Sequence, residues 1–151
     1  MGFFNKVFGA ATKVKDEAMA EVSKLQRQDD VISLLAIIAL VSGADGVVEP
    51  EESAMAVDFV KNGDVFKGFD RSMLATRLDA NFKKCVNPIM RDDLIDDVRG
   101  ISDEPDTARK VLRAGIAIAM SDGEFEPEEK EVLLEVCEVL KLNPTDFKQL
   151  R

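Results

Sequence analysis

The sequence contains one acidic phrase twice, and this repetition constrains the fold more than any other feature. Ala44–Glu52 reads ADGVVEPEE, and Ser121–Glu129 reads SDGEFEPEE. Aligned Asp on Asp, the two copies share Asp, Gly, Glu, Pro, Glu and Glu at matching positions. Each copy stands between two segments in which apolar residues recur three or four positions apart, which is the spacing of a helix face. The repeat therefore predicts a duplicated unit of helix, acidic turn and helix.

Helical spacing continues along almost the whole chain. Apolar residues recur at this spacing from Phe4 to Leu25, which predicts an amphipathic helix over residues 1–27. Pro50 and Pro127 each follow a Glu and precede acidic residues, as Pro does at the first position of a helix. No sustained alternation of apolar and polar residues indicates a strand. We expect an all-α fold of seven to eight helices.

The repeat also predicts how these helices are organised. We expect a single domain over residues 1–151, with repeat hairpins at 29–61 and 105–141 related by an internal pseudo-twofold axis. Such symmetry would bring the two acidic turns near each other. Asp29 or Asp30 is expected to cap the helix that follows it. The remaining predicted helices are Val31–Ser42, Arg71–Phe82, Pro88–Val98, and helices starting near Glu49, Pro105, Glu126 and Asn143.

Charge and composition exclude several classes of function. The formal net charge is −9, so nucleic acid is not an expected partner, because binding it requires neutralising phosphates. The absence of His removes His-ligated metal sites and His-based catalysis. Cys85 and Cys137 stand apart and fit buried thiols of a reducing cytosol better than a disulfide. The longest apolar run, Val31–Val41, is too short to span a bilayer and predicts a buried helix.

Each acidic phrase resembles the later half of an EF-hand calcium loop. With Gly46 aligned on the invariant loop glycine, Asp45, Glu49 and Glu52 fall on the fifth, ninth and twelfth loop positions. The residues at the first and third positions are not carboxylates, so each phrase offers half of a coordination sphere. Two facing turns would supply enough oxygens for a divalent cation such as Ca²⁺. The candidate metal ligands are Asp45, Glu49, Glu52, Asp122, Glu126 and Glu129.

The same residues have a purely structural interpretation. Carboxylates in the first turn of a helix complement its dipole, and Asp-Gly makes a sharp bend without any ion. Under this alternative the protein is an interaction module without metal, whose acidic turns form a negative docking face. Convergence of the two turns favours the metal site, and turns on opposite sides favour the structural interpretation.

The first residues suggest a contact surface. Phe3, Phe4, Val7 and Phe8 lie beside Lys6, which is typical of an interfacial helix as well as of a helix that contacts a partner. This segment is therefore a candidate for membrane or partner contact. No nucleophile, phosphate-binding loop or His accompanies the carboxylates, so we do not expect an enzyme.

The paired acidic turns, the N-terminal MGFFNKVFG and the chain length resemble the TerB family of bacterial tellurite resistance proteins. The resemblance implies an all-α cytoplasmic protein that associates peripherally with the inner membrane. It also implies a divalent cation, with Ca²⁺ as the candidate, at the acidic turns. The implied partners are the integral membrane protein TerC and other proteins of the Ter system. We therefore expect a non-catalytic accessory protein of tellurite resistance.

Overall fold

The computed structural model describes residues 12–120 and 126–151, and this part of the chain contains helices and no strands. The all-α prediction is confirmed for these residues. Three short 3₁₀ helices lie at Asp64–Phe66, Pro144–Asp146 and Lys148–Leu150. The seven α-helices of the described residues are α1 (Thr12–Val22), α2 (Gln28–Ser42), α3 (Pro50–Asn62), α4 (Arg71–Lys84), α5 (Arg91–Arg99), α6 (Pro105–Ala119) and α7 (Pro127–Val139).

Proline positions locate three of the helix starts. Pro50, Pro105 and Pro127 each occupy the first turn of a helix, and Glu49 and Glu126 are the residues that flank α3 and α7. Proline is favoured there because the first backbone N–H groups of a helix have no partner within it. The predicted helix starts are confirmed at these positions.

Other predicted boundaries are wrong, for local reasons. Neither Asp29 nor Asp30 is the N-cap residue of α2, since the helix begins at Gln28 and both acids lie in its first turn. Asp30 contributes to the cap from the third helical position, where its carboxylate accepts the backbone N–H of Arg27 at 3.2 Å, as in a capping box. The helix expected near Asn143 is only a single 3₁₀ turn.

Two further helix ends differ from their predictions. The helix expected from Pro88 begins at Arg91, because residues 87–90 form a turn closed by the Asn87 side chain. The first described helix ends at Val22, not at residue 27.

Helix α2 forms the centre of the molecule. Every residue from Val31 to Ser42 except Ile32 is buried, as expected for its continuous apolar run. Helices α4, α5, α6 and α7 pack around α2, while α1 packs on α6 and α3 packs on α4. The core is therefore built from both repeat segments and the helices between them.

Helices α2 and α6 lie side by side and run in the same direction. At their starts, the Arg27 guanidinium donates to the Glu104 carboxylate at 2.7 Å. Three helical turns further on, a methyl group added to Gly115 would come within 2.9 Å of the Ile37 Cγ2 atom. Because both contacts join positions at matching depths in the two helices, α2 and α6 end on the same side of the molecule. The pseudo-twofold axis itself remains a prediction.

Helix α4 ends at the same place. Gly43 follows the last residue of α2 and Cys85 follows the last residue of α4, and a methyl group on Gly43 would lie 2.8 Å from the Cys85 Sγ atom. Three helices therefore finish together. We call this region, with residues 43–49, residues 85–90 and Met120, the turn end of the molecule.

Candidate metal centre

The first acidic turn has the tight backbone that its sequence predicts. Gly46 has a φ of 89°, and its N–H donates to the Gly43 carbonyl at 2.9 Å. The Asp45 Oδ1 atom accepts the Val47 N–H at 3.0 Å. Val48 packs against the core and anchors the turn. Backbone bonds therefore fix where the Asp45 carboxylate lies.

Replacing Gly46 by Ala should lower the stability of the protein. A side chain at positive φ clashes with its own backbone, which costs roughly 1–2 kcal/mol. Gly68→Ala is a matched control, because that glycine has no positive φ and a methyl group there meets no atom within 4 Å. Urea unfolding measures both variants. Equal midpoints for the two would show that the turn adopts another backbone in solution.

Glu52 is the most unusual carboxylate of this turn. It lies in the first turn of α3 and only 5% of its surface is exposed. No hydrogen bond or ion pair from residues 12–120 or 126–151 reaches its carboxylate group. A buried carboxylate normally has a charged partner or several donors, because removing an unpaired charge from water is costly.

The charges around Glu52 also disfavour the ionised form of its carboxylate. Burial raises the pKa of Glu52, and the nearby charges of Glu49 and Asp45 raise it further. The three carboxylates therefore act on one another although only Glu52 is buried. A cation at this point would relieve both the burial and the like-charge repulsion.

The second acidic turn is described only in part. Asp122 lies outside the described residues, so its predicted role remains a prediction. Glu126 and Glu129 begin α7, and Glu129 is 5% exposed, like its counterpart Glu52. The Glu129 Oε1 atom accepts the Glu126 N–H at 2.8 Å, which is a helix-capping bond. Since a carboxylate accepts at both oxygens, this bond is compatible with metal coordination.

The helix that leads into the second turn borders a small cavity that α3 also lines. Ile118, in the last turn of α6, lines one small cavity together with Ala56 and Val60 of α3. Ala56 follows Glu52 by four residues, which is about 6 Å along a helix axis. Ile118 and the α3 residues that follow Glu52 therefore border the same small space. Contact between the two complete turns remains a prediction.

The side-chain chemistry of the two turns fits a hard cation. All donors of the two turns are carboxylates, which are the side chains that Ca²⁺ and Mg²⁺ prefer. Within residues 12–120 and 126–151, no three Asp, Glu or Cys side chains are placed to hold an ion together.

The sequence patterns did not predict the long-range contacts that position this site. The ion pair between Arg27 and Glu104 joins residues 77 positions apart, the same offset that relates the acidic turns. Opposite charges at equivalent repeat positions were a signal for this contact. No comparable signal indicated that Gly43 packs on Cys85.

The remaining candidate residues are the two cysteines and the apolar residues near the N-terminus. Burial raises the pKa of Cys85 to about 11, and burial also raises the pKa of Cys137, so both thiols are protonated at neutral pH. Phe3, Phe4, Val7 and Phe8 lie outside the described residues, and their contact role remains a prediction. Among the helices that are described, none combines the length and apolarity needed to cross a bilayer.

Comparison with known proteins identifies the family. The family model described as tellurite resistance protein TerB matches residues 31–151. A tellurium resistance protein TerB from an Alcaligenes species is 25% identical over 123 residues, covering 77% of this chain and 97% of the relative. No solved structure gives a significant match. The match includes both acidic turns and all helices from α3 onwards, and the chain therefore belongs to the TerB family of tellurite resistance proteins.

Proposed function

We propose that this protein is a non-catalytic accessory protein of tellurite resistance that binds a divalent cation, Ca²⁺, at its acidic turns. Asp45, Glu49 and Glu52 would bind the ion from the first turn. The second turn would contribute Asp122, Glu126 and Glu129. The observation that carries the proposal is the buried Glu52 carboxylate, which no described residue neutralises and which two other carboxylates repel.

The number of oxygen ligands that Ca²⁺ requires favours binding of one ion by both turns. Ca²⁺ takes six to eight oxygen ligands, and one turn offers three carboxylates together with backbone carbonyls. The common direction of α2 and α6 brings the ends of both helices to the turn end. Ion binding would then draw the two hairpins together and stabilise the fold by mass action.

Family membership supports the biological setting. The family model and the relative from Alcaligenes both carry tellurium or tellurite resistance in their descriptions. We extend this to docking on TerC and other Ter-system proteins at the cytoplasmic side of the inner membrane. The negative surface of the turn end suits partners that carry basic residues.

Titration calorimetry with Ca²⁺, Mg²⁺ and Mn²⁺ tests the metal site. We expect wild type to bind, and Glu52→Gln to weaken binding at least about tenfold, because the variant removes the buried charge. Glu51→Gln is a matched control, since Glu51 lies in the same helical turn but is exposed. Absence of binding by wild type at millimolar ion would refute the proposal, as would equal loss in both variants.

A second candidate is an interaction module without metal. The observation that favours it is the bond between Glu126 and Glu129, which caps α7 without any ion. This alternative predicts that ions leave the melting temperature unchanged beyond effects of ionic strength. It also predicts that Glu129→Gln lowers stability equally with and without Ca²⁺.

A further inference from the structure

An open groove with polar walls runs along one face of α4. It has a volume of about 600 Å³, and its lining residues extend from Asp70, directly before α4, to Lys84 at the end of the helix. This distance is roughly 20 Å along the helix axis. Since an extended chain rises about 3.3 Å per residue, the groove is long enough for about six residues of a peptide.

One side-chain amide in this groove lacks a hydrogen-bond partner. Asn81 lines the groove, and only 2% of its surface is exposed. Its Nδ2 atom is buried, and nothing in the part of the chain that the structure describes accepts a hydrogen bond from it. Buried amides are normally paired, because an unpaired one has given up its bonds to water without replacement. The Asn81 amide is therefore a candidate donor to an acceptor from outside the chain.

Two basic side chains lie on the same face of α4 as this amide. Arg77 precedes Asn81 by four residues and Lys84 follows it by three, and all three line the groove. Arg77 donates to the Asp97 carboxylate of α5 at 3.0 Å. Lys84 pairs with Asp93 of α5 at 3.3 Å. An Arg side chain has five N–H donors and a Lys has three, so these pairs leave donors for a ligand.

The groove offers a ligand more donors than acceptors around Asn81. Asp93 and Asp97 are not among the described residues that line it, whereas their basic partners are. The carboxylate that does line it, Asp70, lies about 16 Å along the helix from Asn81 and accepts the Met73 N–H as the cap of α4. Because the two ion pairs are neutral overall, recognition here depends on directed hydrogen bonds and not on net charge. Charge-assisted bonds from Arg and Lys favour a carboxylate over a neutral acceptor.

We propose that this groove binds an acidic peptide segment of a partner protein, with a Glu or Asp carboxylate of the peptide accepting from Asn81, Arg77 and Lys84. An open groove of this length fits an extended peptide better than a small molecule, because small-molecule sites enclose most of the ligand surface. The site uses none of the carboxylates of the acidic turns, so it does not depend on the proposed cation site.

An NMR titration of the full chain tests the groove. The probe is a hexapeptide of alternating Glu and Thr with blocked ends, whose carboxylates lie on one side when it is extended. We expect the side-chain NH₂ resonances of Asn81 to shift, and the matched Gln/Thr peptide to bind at least about tenfold more weakly. Equal binding of the two peptides, or no shift with millimolar Glu/Thr peptide, would overturn the proposal.

A competition experiment separates a peptide site from a site for small anions. Inorganic phosphate at the concentration of the peptide should not displace it, because phosphate reaches only the part of the groove around Asn81. Displacement by phosphate would show a small-anion site and would overturn the assignment to a peptide.

Two neighbouring lysines provide a matched pair of variants. Lys84→Met should weaken binding of the Glu/Thr peptide at least about fivefold, because it removes a charged donor from the groove. Lys83→Met is the control, since Lys83 also has one ion pair, with Asp79 at 3.4 Å, but is not among the described residues that line the groove. Equal losses in the two variants would place the peptide elsewhere on the surface and refute the groove.

Asn81→Leu gives a readout that a merely structural amide would not give. The variant should lose peptide binding at least about tenfold and yet unfold at a higher urea concentration than wild type, because an apolar side chain of similar size replaces an unpaired buried amide. Loss of binding together with a higher midpoint cannot come from unfolding. A lower midpoint would show that the amide has a partner inside the protein, such as a buried water, and would overturn the proposal.

Discussion

Glu52→Gln should make the ion-free protein more stable at pH 7, by about 1 kcal/mol or roughly 2–4 °C in Tm. Most substitutions of buried residues destabilise, so the sign of this change is diagnostic. The gain is expected because Glu52 is buried without a described hydrogen bond or ion pair and its charge is repelled by Glu49 and Asp45. A neutral amide of the same shape removes the buried charge. Thermal melts in a chelator measure the effect.

The pH dependence of stability gives the same test a second readout. The pKa of Glu52 is higher in the folded protein than its ordinary value of 4.5, so the folded state binds this proton more tightly than the unfolded state does. The corresponding stability is present below pH 4.5 and is lost as the pH rises through the folded pKa. Wild type should therefore lose more stability than Glu52→Gln between about pH 4 and about pH 8.

Two comparisons make this prediction decisive. Glu51→Gln, at an exposed position of the same helical turn, should change stability little. Adding Ca²⁺ should raise the Tm of wild type more than that of Glu52→Gln. If Glu52→Gln is less stable than wild type in a chelator at pH 7, the carboxylate has a stabilising partner and the reason for placing a cation there is lost.

Gly115→Val should be the most destabilising substitution at the α2–α6 contact, by roughly 2–3 kcal/mol. Even a methyl group at this position would come within 2.9 Å of the Ile37 Cγ2 atom. Both helices are buried there, so the added volume must move one helix or force a side chain from its rotamer. Urea unfolding measures the change, and Gly115→Ala should show a smaller loss.

A double-mutant cycle assigns this loss to the contact. Ile37→Ala removes the Cγ2 atom with which the new side chain would collide, so the double variant should lose less stability than the sum of the two single losses. A coupling energy near zero would show that the two helices are not packed at this point. Such a result would contradict the parallel arrangement of α2 and α6, and with it the shared turn end.

In the acidic turns, some features depend on residues that are neighbours in the chain, and others depend on how distant segments pack. Pro50 and Gly46 determine a helix start and a sharp turn through their own backbone geometry, so both were predictable from sequence. The burial of Glu52 was not predictable, because burial depends on how whole helices pack and not on the residues beside it in the chain. Glu129 has the same sequence context, yet it accepts a described capping bond that Glu52 lacks.

The same distinction between local and long-range effects applies to the fold. The sequence by itself determined that the chain is helical, because apolar spacing and helix-start residues act within a few positions. The starts of α2 and α5 that the sequence predicted were wrong. The Asp30 side chain accepts a backbone N–H group at the start of α2, and the Asn87 side chain accepts a backbone N–H group in the turn before α5. Only the tertiary structure showed that α2 and α6 run in the same direction, through the contacts of Arg27 with Glu104 and of Ile37 with Gly115, and that α4 ends beside α2, where Cys85 packs on Gly43. Contacts between residues that lie far apart in the chain depend on the packing of whole helices, which no local pattern encodes.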